Sequence, residues 1–344
     1  MCTVVRPSAL LAALLLSLTV SLSAVAAPLR GFNFLQGASV TLDHPAAGES
    51  LRRMKQVGAN SVVLVPFFHQ RHANTGEIGF SDAVTDRQLG AAINQARRLG
   101  LRVVLKPQVL VEKGWAGDIR FSNDADEERW FGRYRDLLLH YARLAQREKV
   151  DAFVIGTELA GVETSQRWHA LVGAVRKVYH GPLTYVAHGV DGVWRFPAWP
   201  SLDAVAVSLY PALGGDSEAP QMRNKMEKTL TELRRASQEL ARPVWVMEVG
   251  IPSASGALKS PWDWRRLRSD TVRSDTVTQS VVIAQWLEAL DKPWIEAVFI
   301  WCWYSDPHAG GLNDNDYTPQ NKPAEQQVRC RWMGGCEGVR DERR

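Results

Sequence analysis

Short runs of apolar residues alternate along this chain with longer stretches whose apolar positions recur every three or four residues, the two periodicities of strand and helix. The runs predict eight strands: Gly31–Leu35, Asn60–Pro66, Leu101–Pro107, Asp151–Thr157, Leu183–Ala187, Asp203–Leu209, Pro243–Val249 and Glu296–Trp303. Several are introduced by the same punctuation. Val57-Gly58-Ala59, Leu99-Gly100-Leu101, His180-Gly181-Pro182 and Ala241-Arg242-Pro243 each end a helical pattern with glycine or proline just before an apolar run. The intervening stretches, such as Asp126–Arg147, are long enough to be crossover helices, so the strands should be parallel. Eight such units predict a closed (β/α)8 barrel, the TIM-barrel class of α/β fold, as one domain over residues 27–344. No G-x-G-x-x-G follows the first strand, which removes the main argument for an open dinucleotide-binding sheet.

The first 26 residues read differently. Arg6 precedes the apolar stretch Ala9–Val20, and Ala24-Val25-Ala26 supplies the small residues of a cleavage site, so a signal peptide removed near Ala26 is expected. A secreted or periplasmic protein follows from that reading, without stable membrane association after cleavage and with no lipid anchor, since Cys2 leaves with the peptide. In an oxidising compartment Cys330 and Cys336, separated by Arg331-Trp332-Met333-Gly334-Gly335, are expected to form a local disulfide. Cys302, inside the apolar run Phe299–Trp303, reads as a small buried hydrophobe with a free thiol.

Composition adds mainly exclusions. With 45% hydrophobic and 23% charged residues among 344, the chain is an ordinary globular one. Its 41 basic and 37 acidic residues are scattered, so no nucleic-acid partner is expected. The 13 tryptophans are the outlier: all lie at or beyond Trp115, where such rings serve as core or as platforms for a ligand.

In a barrel of this kind the chemistry stands at the C-terminal strand ends. Two ends carry glutamate: Gly156-Thr157-Glu158 on the fourth strand and Val246-Met247-Glu248 on the seventh. Strict alternation puts Glu158 on one face with Gly156 and Val154, and Glu248 with Val246 and Val244, each aimed at the barrel mouth. A carboxyl pushed up by burial beside one kept ionised by hydrogen bonds would supply an acid and a nucleophile, although a single strand-end glutamate more often caps the next helix. Tyr210 ends the sixth strand, beside the seventh, within expected reach of Glu248. Trp301 and Trp303 are placed on one face near the mouth, as sugar-stacking rings or as core. Gln70, Lys106, Gln108 and His188 complete a ring of polar groups suited to a polyhydroxylated ligand. His69 and His72 lack a third ligand, and Asn313-Asp314-Asn315-Asp316 lacks the glycine and terminal glutamate of a calcium loop, so neither a metal site nor a cofactor is expected.

The order of motifs resembles that of glycoside hydrolase family 113. It is carried by Leu51-Arg52-Arg53-Met54-Lys55, Gly58-Ala59-Asn60, Val65-Pro66-Phe67-Phe68, Lys106-Pro107, Gly156-Thr157-Glu158-Leu159, Gly181-Pro182-Leu183-Thr184-Tyr185, Glu248-Val249-Gly250 and Tyr317-Thr318-Pro319-Gln320-Asn321-Lys322-Pro323-Ala324. The resemblance implies a retaining (β/α)8 glycosidase, probed first with β-1,4-mannan, in which Glu158 is the acid/base and Glu248 the nucleophile. Thr157 stands where the wider clan has asparagine, Gln108 where histidine is expected and His188 where asparagine is usual. Those departures leave the substrate open between mannan and another β-linked glycan such as a bacterial exopolysaccharide, and a non-catalytic glycan-binding barrel is the reading from a different class. The expected partner is a polysaccharide or oligosaccharide, and the expected state a monomer.

Overall fold

The computed structural model describes residues 27–214, 219–269 and 271–335; the expected signal peptide and Cys336 lie outside them. The strands are β1 (Leu29–Leu35), β2 (Ser61–Leu64), β3 (Phe67–Gln70), β4 (Ile78–Phe80), β5 (Arg102–Leu105), β6 (Gln108–Val111), β7 (Ala152–Thr157), β8 (Leu183–His188), β9 (Val205–Leu209), β10 (Val244–Val249) and β11 (Ile295–Tyr304). The α-helices are α1 (Pro45–Gln56), α2 (Asp86–Arg98), α3 (Asp124–Arg147), α4 (Arg167–Arg176), α5 (Gly189–Arg195), α6 (Ala219–Leu240), α7 (Thr276–Ala289) and α8 (Pro323–Met333). β1, β2, β5, β7, β8, β9, β10 and β11 close in that order into a parallel barrel, and they coincide with the eight apolar runs read from the sequence.

Local chemistry fixes the boundaries. Thr85 and Gln88 form a reciprocal capping box at the start of α2, and the Asn123 side chain accepts from the Asp126 N–H at the start of α3. Gly58 and Gly100 follow α1 and α2 with φ of +96° and +71°, the left-handed turn that glycine adopts without strain. Inside the barrel, Val63, Val104, Val154, Ala206, Met247 and Phe299 form a closed core, while Val244 and Val246 of β10 belong to the separate outer core that the helices share.

Two features at the C-terminal rim go beyond the predicted barrel. First, β2 and β5 continue past Pro66 and Pro107 as β3 and β6 in unchanged register: Leu64 stands opposite Leu105 and Phe67 opposite Gln108. With β4 antiparallel on the outer side, they make a three-stranded wall above the rim. Second, β7, β10 and β11 each carry an extra residue against a neighbour. Val154 and Thr157 oppose Thr184 and Val186; Val246 and Glu248 oppose Val207 and Ser208; Ile300 and Trp303 oppose Phe32 and Phe34. Such bulges re-aim the side chains that follow them. Asn33, fully buried in β1, holds two of the irregular strands together, its Nδ2 donating to the Met247 carbonyl at 2.9 Å and the Ile300 carbonyl at 3.4 Å.

Candidate active site

The bulges decide which side chains reach the mouth. Strict alternation places Glu248 with Val244 and Val246, which in fact face the helices. The extra residue in β10 turns Glu248 inward instead. Glu158 follows β7 with φ of +54°, a conformation unusual for a residue with a side chain. Neighbouring bonds hold it there: Glu158 N–H donates to the Val186 carbonyl at 2.9 Å, and Leu159 N–H to the Tyr185 hydroxyl at 3.1 Å. That hydroxyl donates in turn to Glu163, whose fully buried carboxylate also meets Arg195 at 3.0 Å.

Each carboxylate has its own set of donors. Glu248 Oε1 accepts from Lys106 Nζ and from Gln108 Nε2 at 2.6 Å, and its Oε2 accepts from the Tyr210 hydroxyl at 3.1 Å. Lys106 is wholly buried, its ammonium 5.2 Å from the centre of the Trp301 ring. Glu158 Oε1 meets His188 Nδ1 at 3.0 Å and accepts from the Ser208 hydroxyl, while Oε2 accepts from Trp115 Nε1 at 3.2 Å. The Trp115 ring stands edge-on to His188, centres 4.7 Å apart.

Burial disfavours both charged carboxylates, and the donors decide the outcome. At Glu158 burial is outweighed by His188, Ser208 and Trp115, which hold the carboxyl below its usual range. At Glu248 burial, reinforced by repulsion from Glu158, prevails over Lys106 and Tyr210 and raises the carboxyl. Burial lowers Lys106 against the pull of Glu248, and at His188 the opposing effect of burial is overcome by Glu158, which raises the imidazole. Glu158 is thus held low and Glu248 high, the reverse of the order expected for an acid at Glu158 and a nucleophile at Glu248.

The structure brings together Glu158, Glu248, Tyr210, Lys106, Gln108, His188 and Trp301. Of the residues expected to line a sugar, Lys106 and Gln108 bond Glu248 and His188 bonds Glu158. Two residues do not join the site. Gln70 is fully buried in the wall, accepting from Trp130 Nε1 at 2.8 Å and donating to the carbonyls of His72 and Thr75. Trp303 is turned by the β11 bulge into the core, where its Nε1 donates to Ser50 at 2.8 Å and its ring lies 4.7 Å from Phe32. The acidic run at residues 313–316 is a turn already in use: Asp314 pairs with buried Lys322 at 2.5 Å and Asp316 accepts from the Tyr304 hydroxyl at 2.5 Å. Among the described residues Cys302 is a buried thiol without a disulfide, as expected; Cys330 is buried on α8, and its expected partner Cys336 falls outside the described residues.

Trp115, Ser208 and Asn33 are the site residues that sequence reading missed. Ser208 had a signal, being the polar interruption of the apolar run Ala204–Leu209, and Trp115 had a weaker one, a lone large ring between Gly114 and Gly117.

A barrel whose open end carries two carboxylates on its fourth and seventh strands defines a class of sugar-cleaving enzyme, and the comparisons narrow it. The glycoside hydrolase family 113 profile matches residues 32–322, and the chain belongs to that family. It is a glycoside hydrolase, and its substrate is a carbohydrate. Among solved structures it is similar to a GH113 β-1,4-mannanase determined as a complex, with 25% identity over 90% of this chain and 100% of the other and a TM-score of 0.79. A GH113 β-mannanase from Alicyclobacillus acidocaldarius in complex with ManMIm matches with 27% identity over 89% and 97% of the two chains, TM-score 0.79. A β-glucuronidase of Lactobacillus rhamnosus, 15% identical over 90% of this chain and 50% of its own with a TM-score of 0.60, shares the fold. No curated protein sequence matches.

Proposed function

We propose that this protein hydrolyses a β-linked polysaccharide with retention of configuration, and that β-1,4-mannan is the substrate to try first. The observation that carries the reading is that Glu158 and Glu248 stand at one barrel mouth, each hydrogen-bonded by its own donors and near enough that the charge of Glu158 raises the Glu248 carboxyl and acts on Lys106 and Tyr210 beside it. Glu158 gives its proton to the leaving oxygen while Glu248 attacks the anomeric carbon, forming a glycosyl-enzyme. Glu158 then takes a proton from the water that releases the sugar. Lys106, Gln108 and Tyr210 fix the attacking carboxylate and balance its charge, and the half-exposed Trp301 offers a flat apolar face to a pyranose ring. Support for mannan comes from the two family 113 mannanases to which the chain is similar.

A screen of purified protein against β-mannan, β-glucan, xylan and secreted bacterial polysaccharides, with product sizing and NMR of the first-formed anomer, tests the reading. Cleavage of one polymer with initial retention is expected. An inverted first product would overturn the mechanism, and binding without cleavage of any polymer would leave a glycan-binding barrel. The apolar stretch Ala9–Val20 before Ala24-Val25-Ala26 supports action outside the cytoplasm. N-terminal sequencing of exported protein should start near Ala27, and intact Met1 in a membrane fraction would refute cleavage.

A further inference from the structure

Among the described residues that bond Glu158, His188 is the one that titrates near neutral pH. It ends β8 at the start of α5, with Nδ1 3.0 Å from Glu158 Oε1 and its side chain 39% exposed. The groups facing it come from several elements. Glu158 follows β7, Glu163 lies just beyond, Arg195 is on α5, Ser208 on β9 and Trp115 after β6, while the Lys106–Glu248 pair stands beyond Glu158. Glu158 and Glu163 favour the imidazolium and Arg195 opposes it.

We infer that Glu158 and His188 hold the acid's proton jointly, making His188 a positioning residue that keeps the general acid supplied up to neutral pH. The inference rests on the retaining-hydrolase reading. Donors that favour an ionised Glu158 would by themselves oppose its role as an acid, and the shared proton removes that conflict. With the proton on Nδ1 the pair is an imidazolium and a carboxylate; moved across the 3.0 Å bond to Oε1, it leaves a neutral imidazole and a carboxylic acid. The net charge of the pair is the same in both forms. In the second form Lys106 and Glu248 remain as the ion pair, the arrangement that attack on the anomeric carbon requires. As the glycosidic bond breaks, its electron pair goes to the leaving oxygen, which takes the carboxyl proton; water returns a proton to Glu158 in the second step.

A second site for the last proton can only raise the pH at which that proton leaves. The same coupling raises His188 and lowers Glu158 in the free protein.

The test uses the whole protein and two readouts. Imidazole NMR of the eight histidines identifies His188 as the resonance missing from His188→Asn. Its titration midpoint should fall by at least about one pH unit in Glu158→Gln, because an opposite charge in hydrogen-bond contact shifts a group by about one to three units. In pH profiles of kcat/KM, His188→Asn should move the basic limb down by about one unit on a substrate whose leaving group needs protonation, and leave it in place on a dinitrophenyl glycoside, which needs none. An unchanged His188 midpoint in Glu158→Gln overturns the inference, as does a basic limb that His188→Asn leaves unmoved or moves equally on both substrates. If the wild type cleaves no glycoside, the retaining-hydrolase reading and the positioning role of His188 fall together, and the NMR midpoints decide separately whether the proton is shared.

Discussion

Glu158 and Glu248 follow or end equivalent strands of one barrel, and their surroundings differ in kind. Glu248 is 5% exposed and held by a wholly buried ammonium, an amide and a phenol whose own ionisation is pushed well above its usual range. Glu158 is more open, with 17% of its side chain exposed, and one of its donors is an imidazole. In the proposed mechanism the enclosed setting falls to the group that attacks and the more open one, with its titratable partner, to the group that gives and then takes a proton. The barrel supplies two similar positions, and the neighbouring strands make them unlike.

Substitution at the two carboxyls sharpens that contrast most. Glu248→Ala should lower turnover by a factor on the order of 10^4 or more, and added azide should restore it with a glycosyl azide of inverted configuration as product. Glu158→Ala should lose about 10^2- to 10^4-fold on polysaccharide, keep measurable activity on a dinitrophenyl glycoside, and give azide product of retained configuration. The same azide product from both variants would refute the division of roles. Lys106→Met strips Glu248 of its cation while burial is unchanged. Removing one partner of a buried pair costs about 3 to 5 kcal/mol. Because the carboxyl is then raised further, the loss should be largest at pH 8 and shrink as falling pH lets Glu248 take up a proton. Equal urea midpoint losses at pH 5 and pH 8 would count against Lys106 as the charge that holds Glu248.

The smallest expected effect lies just behind Glu158. Burial raises Glu163 from 4.5 to about 6 despite Arg195. An acid raised on folding stabilises below its unfolded pKa and loses that contribution as pH rises through the folded value, so ionised Glu163 costs about 2 kcal/mol above pH 6. Glu163→Gln should therefore match the wild type near pH 4 and exceed its stability at pH 7, as read by urea midpoints. A variant less stable at pH 7 would show that the Arg195 pair outweighs burial.

The barrel was legible because its eight strands are apolar runs bounded by glycine and proline, signals that lie within a few residues of each strand. The wall was not, because β3 and β6 follow prolines and read as the ends of longer strands, and β4 has only three residues. Gln70 was misplaced for that reason. Glu158, Glu248 and Tyr210 were legible as polar residues at the ends of apolar runs, but the faces of Glu248 and Trp303 were not. Period-two reasoning assumes regular pairing, and each of those strands carries an extra residue whose presence depends on the neighbour's register. Trp115 and Asn33 act across the barrel on groups distant in sequence, Asn33 reaching Met247 and Ile300, and no local pattern encodes such pairings.

The unbroken register from β2 and β5 into β3 and β6 limits where this chain can change length. One residue inserted between Leu105 and Gln108 would slide β6 against β3, carry the Gln108 amide off Glu248 and redirect the path to Trp115. Residues 72–77, in the turn from β3 to β4, bond to neither carboxylate and lie outside the β3–β6 register. There each doubling of loop length costs only about 0.6 kcal/mol in closure entropy. Insertions and deletions among relatives should accordingly collect at the top of the wall, so that the reach of the cleft can drift over evolutionary time while the spacing of its base stays constant.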